Sequence, residues 1–88
     1  MTQIVMYGAS WCADCRRSKN YLDSKNIYYQ FIDIDTVPGA ADKVAEINDG
    51  RKSIPTIVFP GGGVLVEPTN AELAAYLAAP SYSVKSKT

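Results

Sequence analysis

The chain has 88 residues, with nine acidic and nine basic side chains and no histidine. This length allows one domain with a modest core, and zero net charge argues against nucleic-acid binding, which needs a basic excess or patch. No apolar run approaches the ~20 residues of a membrane span. The first residues, Met1 to Gln3, lack the basic and apolar regions of a signal peptide, so we expect a cytoplasmic protein that contacts no membrane.

The first half of the chain predicts a strand, a helix and a second strand. Gln3–Tyr7 is apolar and β-branched and is bounded by Gly8. A helix is predicted to start within residues 12–15 and to run to about Lys25, with Asn26 as its stop signal. Tyr28–Asp33 is rich in aromatic and β-branched residues and predicts the next strand. The three elements form a right-handed βαβ unit, in which the two strands are parallel.

The second half predicts a helix followed by a hairpin. Apolar residues recur at helical spacing through Ala40–Ile47, and 48–50 (Asn-Asp-Gly) indicates a helix end with a left-handed glycine. Ile54–Phe59 predicts a strand, and the glycine-rich turn after it leads into a short strand at Val64–Val66.

A capping box predicts where the last helix starts. Thr69 precedes Glu72 by three residues, the spacing at which each side chain bonds the other's backbone N–H. From Pro80 the sequence has no periodicity, so we expect a domain at residues 1–79 and a loose tail at 80–88. The whole order predicts an α/β fold with one mixed four-stranded sheet and three helices packed on its two faces.

Two cysteines separated by two residues stand where the first strand gives way to the first helix. In a cytoplasmic protein such a pair, Cys12 and Cys15, is more often catalytic or metal-binding than a structural disulfide. A helix N-terminus offers unpaired N–H groups that favour a thiolate, the form that attacks disulfides. We therefore predict Cys12 as the nucleophile and Cys15 as the resolving cysteine. Two thiolates without a histidine do not complete a zinc site in one chain, so no metal is predicted.

Residues beside the cysteines have two interpretations each. The basic residues of the helix, Arg16, Arg17 and Lys19, either favour the thiolate and steer substrates or form an ordinary solvated face, and Asp14 opposes the thiolate. Trp11 either shields one side of a groove beside the cysteines or is a core aromatic residue.

With Trp11-Cys12-x-x-Cys15 and Ile54-Pro55-Thr56 both in place, the chain resembles the thioredoxin superfamily, and within it the glutaredoxin-like mycoredoxins of bacteria that use mycothiol. The resemblance covers about residues 4 to 77 and implies a thioredoxin-like fold. It also implies that Pro55 is cis and faces the cysteines, and that the backbone of Ile54 pairs with the incoming thiol substrate. Without the resemblance, Pro55 could equally be a trans proline that starts an edge strand.

The sequence departs from glutathione-using glutaredoxins in two places. Ala13-Asp14 replaces the usual Pro-Tyr between the cysteines, and 67–70 (Glu-Pro-Thr-Asn) replaces the Gly-Gly-polar-Asp stretch that holds the glutathione carboxylate. Proline lacks an N–H donor, and Glu67 would repel a carboxylate, which mycothiol does not carry at that place. We therefore predict a mycothiol-type or protein substrate, and the predicted substrate-binding residues are Trp11, Ala13, Asp14, Ile54, Pro55, Thr69 and Asn70.

The resemblance implies a monomeric thiol–disulfide oxidoreductase without a bound cofactor. It would reduce mixed disulfides between proteins and a low-molecular-weight thiol, mycothiol or glutathione, which supplies the electrons from a thiol reductase system. One alternative is a hydrogen donor that depends on thioredoxin reductase, of the kind that serves ribonucleotide reductase. Others are an iron–sulfur cluster carrier as a dimer, with one cysteine per chain, and a non-catalytic interaction module.

Overall fold

A computed structural model describes residues 3–78 of the chain. Its elements in chain order are β1 (Ile4–Gly8), α1 (Ala13–Ser24), β2 (Tyr29–Asp33), α2 (Ala40–Ile47), β3 (Thr56–Val58), β4 (Val64–Val66) and α3 (Asn70–Ala78). The tail predicted at 80–88 lies outside the described residues. No helix in the described part is long and apolar enough to cross a membrane.

The four strands form one mixed sheet in the order β2-β1-β3-β4. β1 is parallel to β2, with Met6 opposite Phe31, and antiparallel to β3, with Met6 opposite Ile57. β3 and β4 form the antiparallel hairpin that the glycine-rich turn predicted. The predicted thioredoxin-like architecture is thereby confirmed, and the parallel β1–α1–β2 unit places the start of α1 at the carboxyl end of the central strand β1.

The main core lies on one face of the sheet. Ile4 and Met6 alternate along β1 onto this face, where they meet Leu22 of α1 and Leu73 of α3. Each fully buried side chain of this size stabilises the fold by roughly 1.5–3 kcal/mol. This packing holds α1, and with it the cysteine motif, against β1.

The opposite face of the sheet is approached by the end of α2. Thr56 points away from Ile57 because neighbouring residues of a strand alternate between faces, and its hydroxyl accepts a hydrogen bond of 3.0 Å from Asn48, which follows α2. Val44 of α2 is fully buried. Both faces are thus covered, as predicted.

Three predicted strand boundaries need correction. β1 runs from Ile4 to Gly8 instead of Gln3 to Tyr7, because Gly8 still pairs with Asp33 of β2. β2 starts at Tyr29, because Tyr28 is exposed and unpaired with β1. β3 covers only Thr56–Val58 of the predicted Ile54–Phe59. Pro55 has no N–H to give to the ladder, and Phe59 already belongs to the hairpin end, where its N–H donates to the Gly63 carbonyl at 2.8 Å.

The helix ends follow the predicted signals. α1 begins directly after Cys12 and ends at Ser24, and Asn26 takes the left-handed conformation with φ of 58°. After α2, Gly50 has φ of 96°, and its N–H donates to the Ala45 carbonyl at 2.7 Å. Each left-handed residue turns the chain out of the helix.

Candidate active site at the start of the first helix

Cys12 occupies the N-cap position of α1. Its backbone is extended, with φ of −86° and ψ of 114°, and its carbonyl accepts the first helical hydrogen bond from Arg16 at 3.1 Å. Its sulfur accepts the backbone N–H of Cys15 at 3.1 Å. Sulfur therefore takes the place that a serine or aspartate oxygen fills at most helix starts, and one orphan N–H of the helix points at Cys12 Sγ.

The two sulfurs differ in their access to solvent. Both cysteines are free thiols, and they form a buried cluster with Ala9. Cys12 keeps 8% of its surface exposed, whereas Cys15 is completely buried. Cys12, the predicted nucleophile, is therefore the more exposed of the pair.

Burial also sets the protonation of Cys15. Desolvation raises the pKa of the Cys15 thiol from 9.0 to about 12, and its side-chain hydrogen bond with Cys12 adds to the shift. A neighbouring backbone hydrogen bond from Ala9 acts in the opposite direction without cancelling the shift. Cys15 is consequently a neutral thiol near pH 7.

Gly8, the last residue of β1, makes room for Cys15. A Cβ at this position would lie 2.8 Å from Cys15 Sγ and 3.0 Å from Cε1 of Phe31. Real side chains do not approach so closely in a packed interior. Sequence analysis took Gly8 only as the end of a strand; its closeness to Cys15 depends on how α1 lies on β1, which no local pattern signals.

The loop before β3 closes the other side of the cysteine cluster. The Ile54–Pro55 peptide bond is cis, as the resemblance implied, and the Pro55 side chain is fully buried. Ile54 packs against Ala9, Cys12 and Cys15. Cys12 and Ile54 belong to the two segments on which the family resemblance is based, and they are 42 positions apart in the sequence. These two segments thus meet around the sulfurs.

Trp11 lies outside this buried cluster. Its side chain is 66% exposed, and its indole N–H donates to Oδ2 of Asp35 at 2.7 Å. The core-aromatic interpretation is therefore wrong. The bond to the β2–α2 loop leaves the ring on the surface, directly before the nucleophile in sequence.

The basic residues of α1 each have a partner, although Arg16 is exposed and Arg17 and Lys19 are only partly buried. Arg16 donates to the Ser10 carbonyl at 2.8 Å. The ammonium of Lys19 lies 4.1 Å from the centre of the Phe31 ring. Arg17 pairs with Asp14 at 3.3 Å, a spacing of three residues that is readable from the sequence, and this places a compensating charge on the acidic residue of the motif.

The segment before α3 lies beside the cysteine helix. The capping box is confirmed, since Thr69 N–H donates to Glu72 Oε1 at 2.8 Å and Glu72 N–H donates to Thr69 Oγ1 at 3.0 Å. Oδ1 of Asn70 accepts a bond of 2.9 Å from Arg17. The structure therefore brings Asn70 to the cysteine helix, and sequence analysis missed this contact, because the partners are 53 residues apart.

Residues 3–78 contain no cluster of three or more histidine, cysteine, aspartate or glutamate side chains that could hold a metal ion.

Comparison with known proteins identifies relatives among the glutaredoxins and mycoredoxins. The glutaredoxin family model matches residues 4–65, over half of the chain. A Mycobacterium tuberculosis protein named as a glutaredoxin is 35% identical over 84% of this chain and 88% of its own length. Mycoredoxin 1 of Corynebacterium glutamicum is 32% identical over 90% of this chain and 98% of its own length. The crystal structure of a glutaredoxin from Archaeoglobus fulgidus superimposes with a TM-score of 0.77 at 25% identity, covering 90% of this chain and 89% of that one.

Proposed function

Because this chain belongs to the glutaredoxin family and is a thiol–disulfide oxidoreductase, we propose that it reduces mixed disulfides between proteins and a low-molecular-weight thiol, mycothiol. The observation that carries this proposal is the position of Cys12. Its sulfur caps α1, receives the N–H of Cys15 at 3.1 Å and keeps a small opening to solvent. Donors aimed at sulfur favour a negative charge on it, both when it attacks and when it later leaves.

The proposed reaction starts with the Cys12 thiolate attacking the small-thiol sulfur of the mixed disulfide. A bond forms between Cys12 and the small thiol while the original S–S bond breaks, and the protein thiolate leaves with the electron pair. A second small thiol then attacks the small-thiol sulfur on Cys12. This step forms the symmetric small-thiol disulfide and restores the Cys12 thiolate, so two electrons pass from the small thiol to the protein.

Cys15 takes part only when the target is a protein disulfide that needs two thiols from the enzyme. Its complete burial and its pKa of about 12 make it a poor nucleophile near pH 7. A second small thiol approaches from solvent and does not require that Cys15 first lose its proton. We therefore assign the resolving role of Cys15 to this two-cysteine route and the main reaction to Cys12 alone.

The substrate would lie across the surface around Cys12. The residues proposed to contact it are those predicted from the sequence: Trp11, Ala13, Asp14, Ile54, Pro55, Thr69 and Asn70. Trp11 offers an exposed ring, and Ile54 packs on the cysteine cluster. In the family, the backbone at the position of Ile54 pairs with the substrate, which fits a loop held so close to the sulfurs.

Mycothiol is favoured over glutathione by the charge of the loop before α3. Glu67 is exposed there and has a left-handed backbone with φ of 49°, and Pro68 follows it. The one guanidinium that reaches this loop, among the described residues, is Arg17, and Asp14 already compensates its charge. A thiol without a carboxylate at this place avoids the repulsion from Glu67.

The proposed setting is a cytoplasmic monomer that receives electrons from a small thiol and its reductase. The proposal needs no bound cofactor. A reductase that acts on the protein directly, as in the thioredoxin system, would instead make Cys15 indispensable, because both electrons would then be stored as a Cys12–Cys15 disulfide.

The test uses peptides carrying mycothiol or glutathione in a mixed disulfide, each assayed with its own thiol and reductase. Wild-type protein should reduce the mycothiolated peptide with the higher kcat/KM. Cys12→Ser should abolish reduction, and Cys15→Ser should retain most of it. Reduction that survives Cys12→Ser, or a preference for the glutathionylated peptide, would contradict the proposal.

A further inference from the structure

Arg17 connects the cysteine helix to the loop that precedes α3. Its Nη1 donates to Oδ1 of Asn70 at 2.9 Å, and its Nη2 donates to the Pro68 carbonyl at 3.2 Å. The same Nη2 lies 3.3 Å from Oδ1 of Asp14, inside the cysteine motif. One guanidinium therefore joins two segments that are more than fifty residues apart in sequence. Its rigid planar fork suits this task, which a lysine ammonium does not perform equally well.

The same loop is also tied to the cis-proline segment. The N–H of Glu67 donates to the Pro55 carbonyl at 2.8 Å, and Pro68 is fully buried. Hydrogen bonds consequently connect the three segments around Cys12 one after another. Arg17 connects the cysteine helix to the loop at 67–70, and the N–H of Glu67 connects that loop to Pro55. Loss of the first link would leave the loop held by the second and by the capping box.

Comparison with Arg16 distinguishes the effect of a positive charge near Cys12 from the effect of contact with the loop at 67–70. It carries the same charge one position earlier, but it donates to Ser10, on the other side of the helix start. Both arginines contribute a positive charge near Cys12, whereas only Arg17 of the two contacts the loop. An effect specific to Arg17 thus cannot be ascribed to the local positive charge.

We propose that Arg17 is a positioning residue for the small-thiol subsite, which it acts on by fixing the loop at 67–70 beside Cys12. This inference rests on the proposed function, because it assigns that loop to binding of the resolving small thiol. A loop held in place before binding loses less conformational freedom when the thiol binds. Arg17 therefore lowers the apparent KM for the small thiol and leaves the sulfur chemistry at Cys12 largely untouched.

The first test measures peptide reduction while the concentration of reduced mycothiol is varied. Arg17→Gln should raise the apparent KM for mycothiol about fivefold, because it removes two hydrogen bonds to the loop, one exposed and one partly buried, while the other contacts of the loop remain. The kcat at saturating mycothiol should stay within about twofold, and Arg16→Gln should change the KM by less than about twofold. An equal rise in KM for both arginine variants would overturn the inference, because charge alone would then explain it.

Two further variants test the contact itself. Arg17→Lys keeps the charge but not the fork, so a KM equal to that of wild type would also overturn the inference. Arg17→Gln combined with Asn70→Ala should raise the KM by less than the product of the two single effects, since both changes break the same bond. A fully multiplicative result would show that the two residues act independently.

Amide hydrogen exchange separates this inference from the proposed function. The Glu67 amide reports the link to Pro55 without any substrate, and its exchange should become about fivefold faster in Arg17→Gln and stay unchanged in Arg16→Gln. If wild-type protein reduced neither mixed disulfide, the proposed function would fail while this exchange still measured loop positioning. Unchanged Glu67 exchange in Arg17→Gln would refute the positioning role even in a fully active enzyme.

Discussion

The floor and the rim of the active site are held in place by different forces. The floor consists of buried residues that are fixed by close packing and, in the case of Thr56, also by two partly buried hydrogen bonds; they are Gly8, Cys15, Pro55 and Thr56. The rim consists of more exposed residues that are fixed by side-chain hydrogen bonds, namely Trp11, Asp14, Arg17 and Asn70. Removing a packed group generally costs several times more stability than removing an exposed polar contact.

We expect this difference to separate the residues needed for the reaction from those that select the substrate. The sulfurs keep their positions because close packing between β1 and α1 holds them in place. The rim can change residue by residue at little cost to the fold, so we propose that the choice of small thiol and protein target depends on it. Changes to the floor should therefore appear mainly as lost stability, and changes to the rim mainly as altered KM.

The largest effect is expected from Gly8→Ala, which overpacks the floor. The new Cβ would lie 2.8 Å from Cys15 Sγ, and Gly8 has no left-handed φ that would by itself disfavour alanine. We expect a loss of about 3 kcal/mol in the free energy of unfolding, the upper end of the range for overpacked cores. Urea denaturation under reducing conditions measures it.

The matched control for Gly8→Ala is the same change in a Cys15→Ala background. Removing the sulfur relieves the closest contact but leaves the one with Phe31. The double variant should therefore be more stable, by about 1 kcal/mol, than the sum of the single changes predicts. If the effects of the two changes on stability were strictly additive, contact with Cys15 would not be the reason that position 8 requires glycine.

A second effect on the floor should appear at high pH. The pKa of Cys15 is raised from 9.0 to about 12 in the folded protein, so the folded state keeps a proton that the unfolded chain releases. Its contribution to stability is complete below pH 9 and is lost as the pH rises toward 12. The slope is at most about 1.4 kcal/mol for each pH unit.

Comparison with Cys15→Ala isolates this contribution. Tyr29 also has a raised pKa of about 12, caused by burial and by its bond to Asp23, and both proteins share it. Between pH 8 and pH 10.5 the wild type should lose more stability than Cys15→Ala, as measured by urea denaturation. Parallel decline of the two proteins would indicate that Cys15 ionises as easily in the folded state as in the unfolded chain.

A smaller loss is expected from Thr56→Val. The Thr56 hydroxyl accepts from Asn48 at 3.0 Å and donates to the Ser53 carbonyl at 2.7 Å, directly beside the cis-proline loop. Valine has a similar shape but leaves both partners unsatisfied, which costs about 1–2 kcal/mol. Thr36→Val, on the exposed β2–α2 loop, is the control and should change stability by less than about 0.5 kcal/mol. If the two substitutions lowered the free energy of unfolding equally, Thr56 would not be one of the residues that hold the floor in place.

Sequence analysis predicted those features of the site that depend on neighbouring residues. The helix start was predicted within residues 12–15 and the capping box at Thr69 and Glu72, and in both places the bonded residues are three positions apart, so local hydrogen-bonding rules suffice. The length of β3 was overestimated, because the apolar run from Ile54 to Phe59 continues through a proline and into a turn. The cis bond before Pro55 followed from the family resemblance and from no local chemistry.

The rim could not be predicted in the same way. Trp11 and Asp35 are 24 residues apart, and Arg17 and Asn70 are 53 apart. Which loops face each other depends on the order of the strands and on how the helices lie on the sheet. Exposed polar residues have many possible partners of similar energy, and no periodicity distinguishes the one that is used.

The smallest effect on stability is expected from Trp11→Phe on the rim. The change removes the indole N–H that donates to Asp35 at 2.7 Å and keeps an aromatic ring, so we expect a loss below about 1 kcal/mol. Trp11 is the only tryptophan of the chain, and its fluorescence anisotropy in Asp35→Ala should fall, because the ring loses its anchor. The kcat/KM for a mixed-disulfide protein should decrease in both variants, whereas that for a small dialkyl disulfide should not. A loss of stability in Trp11→Phe as large as that in Gly8→Ala would show that packing fixes the rim as well, and the distinction between the two regions would no longer hold.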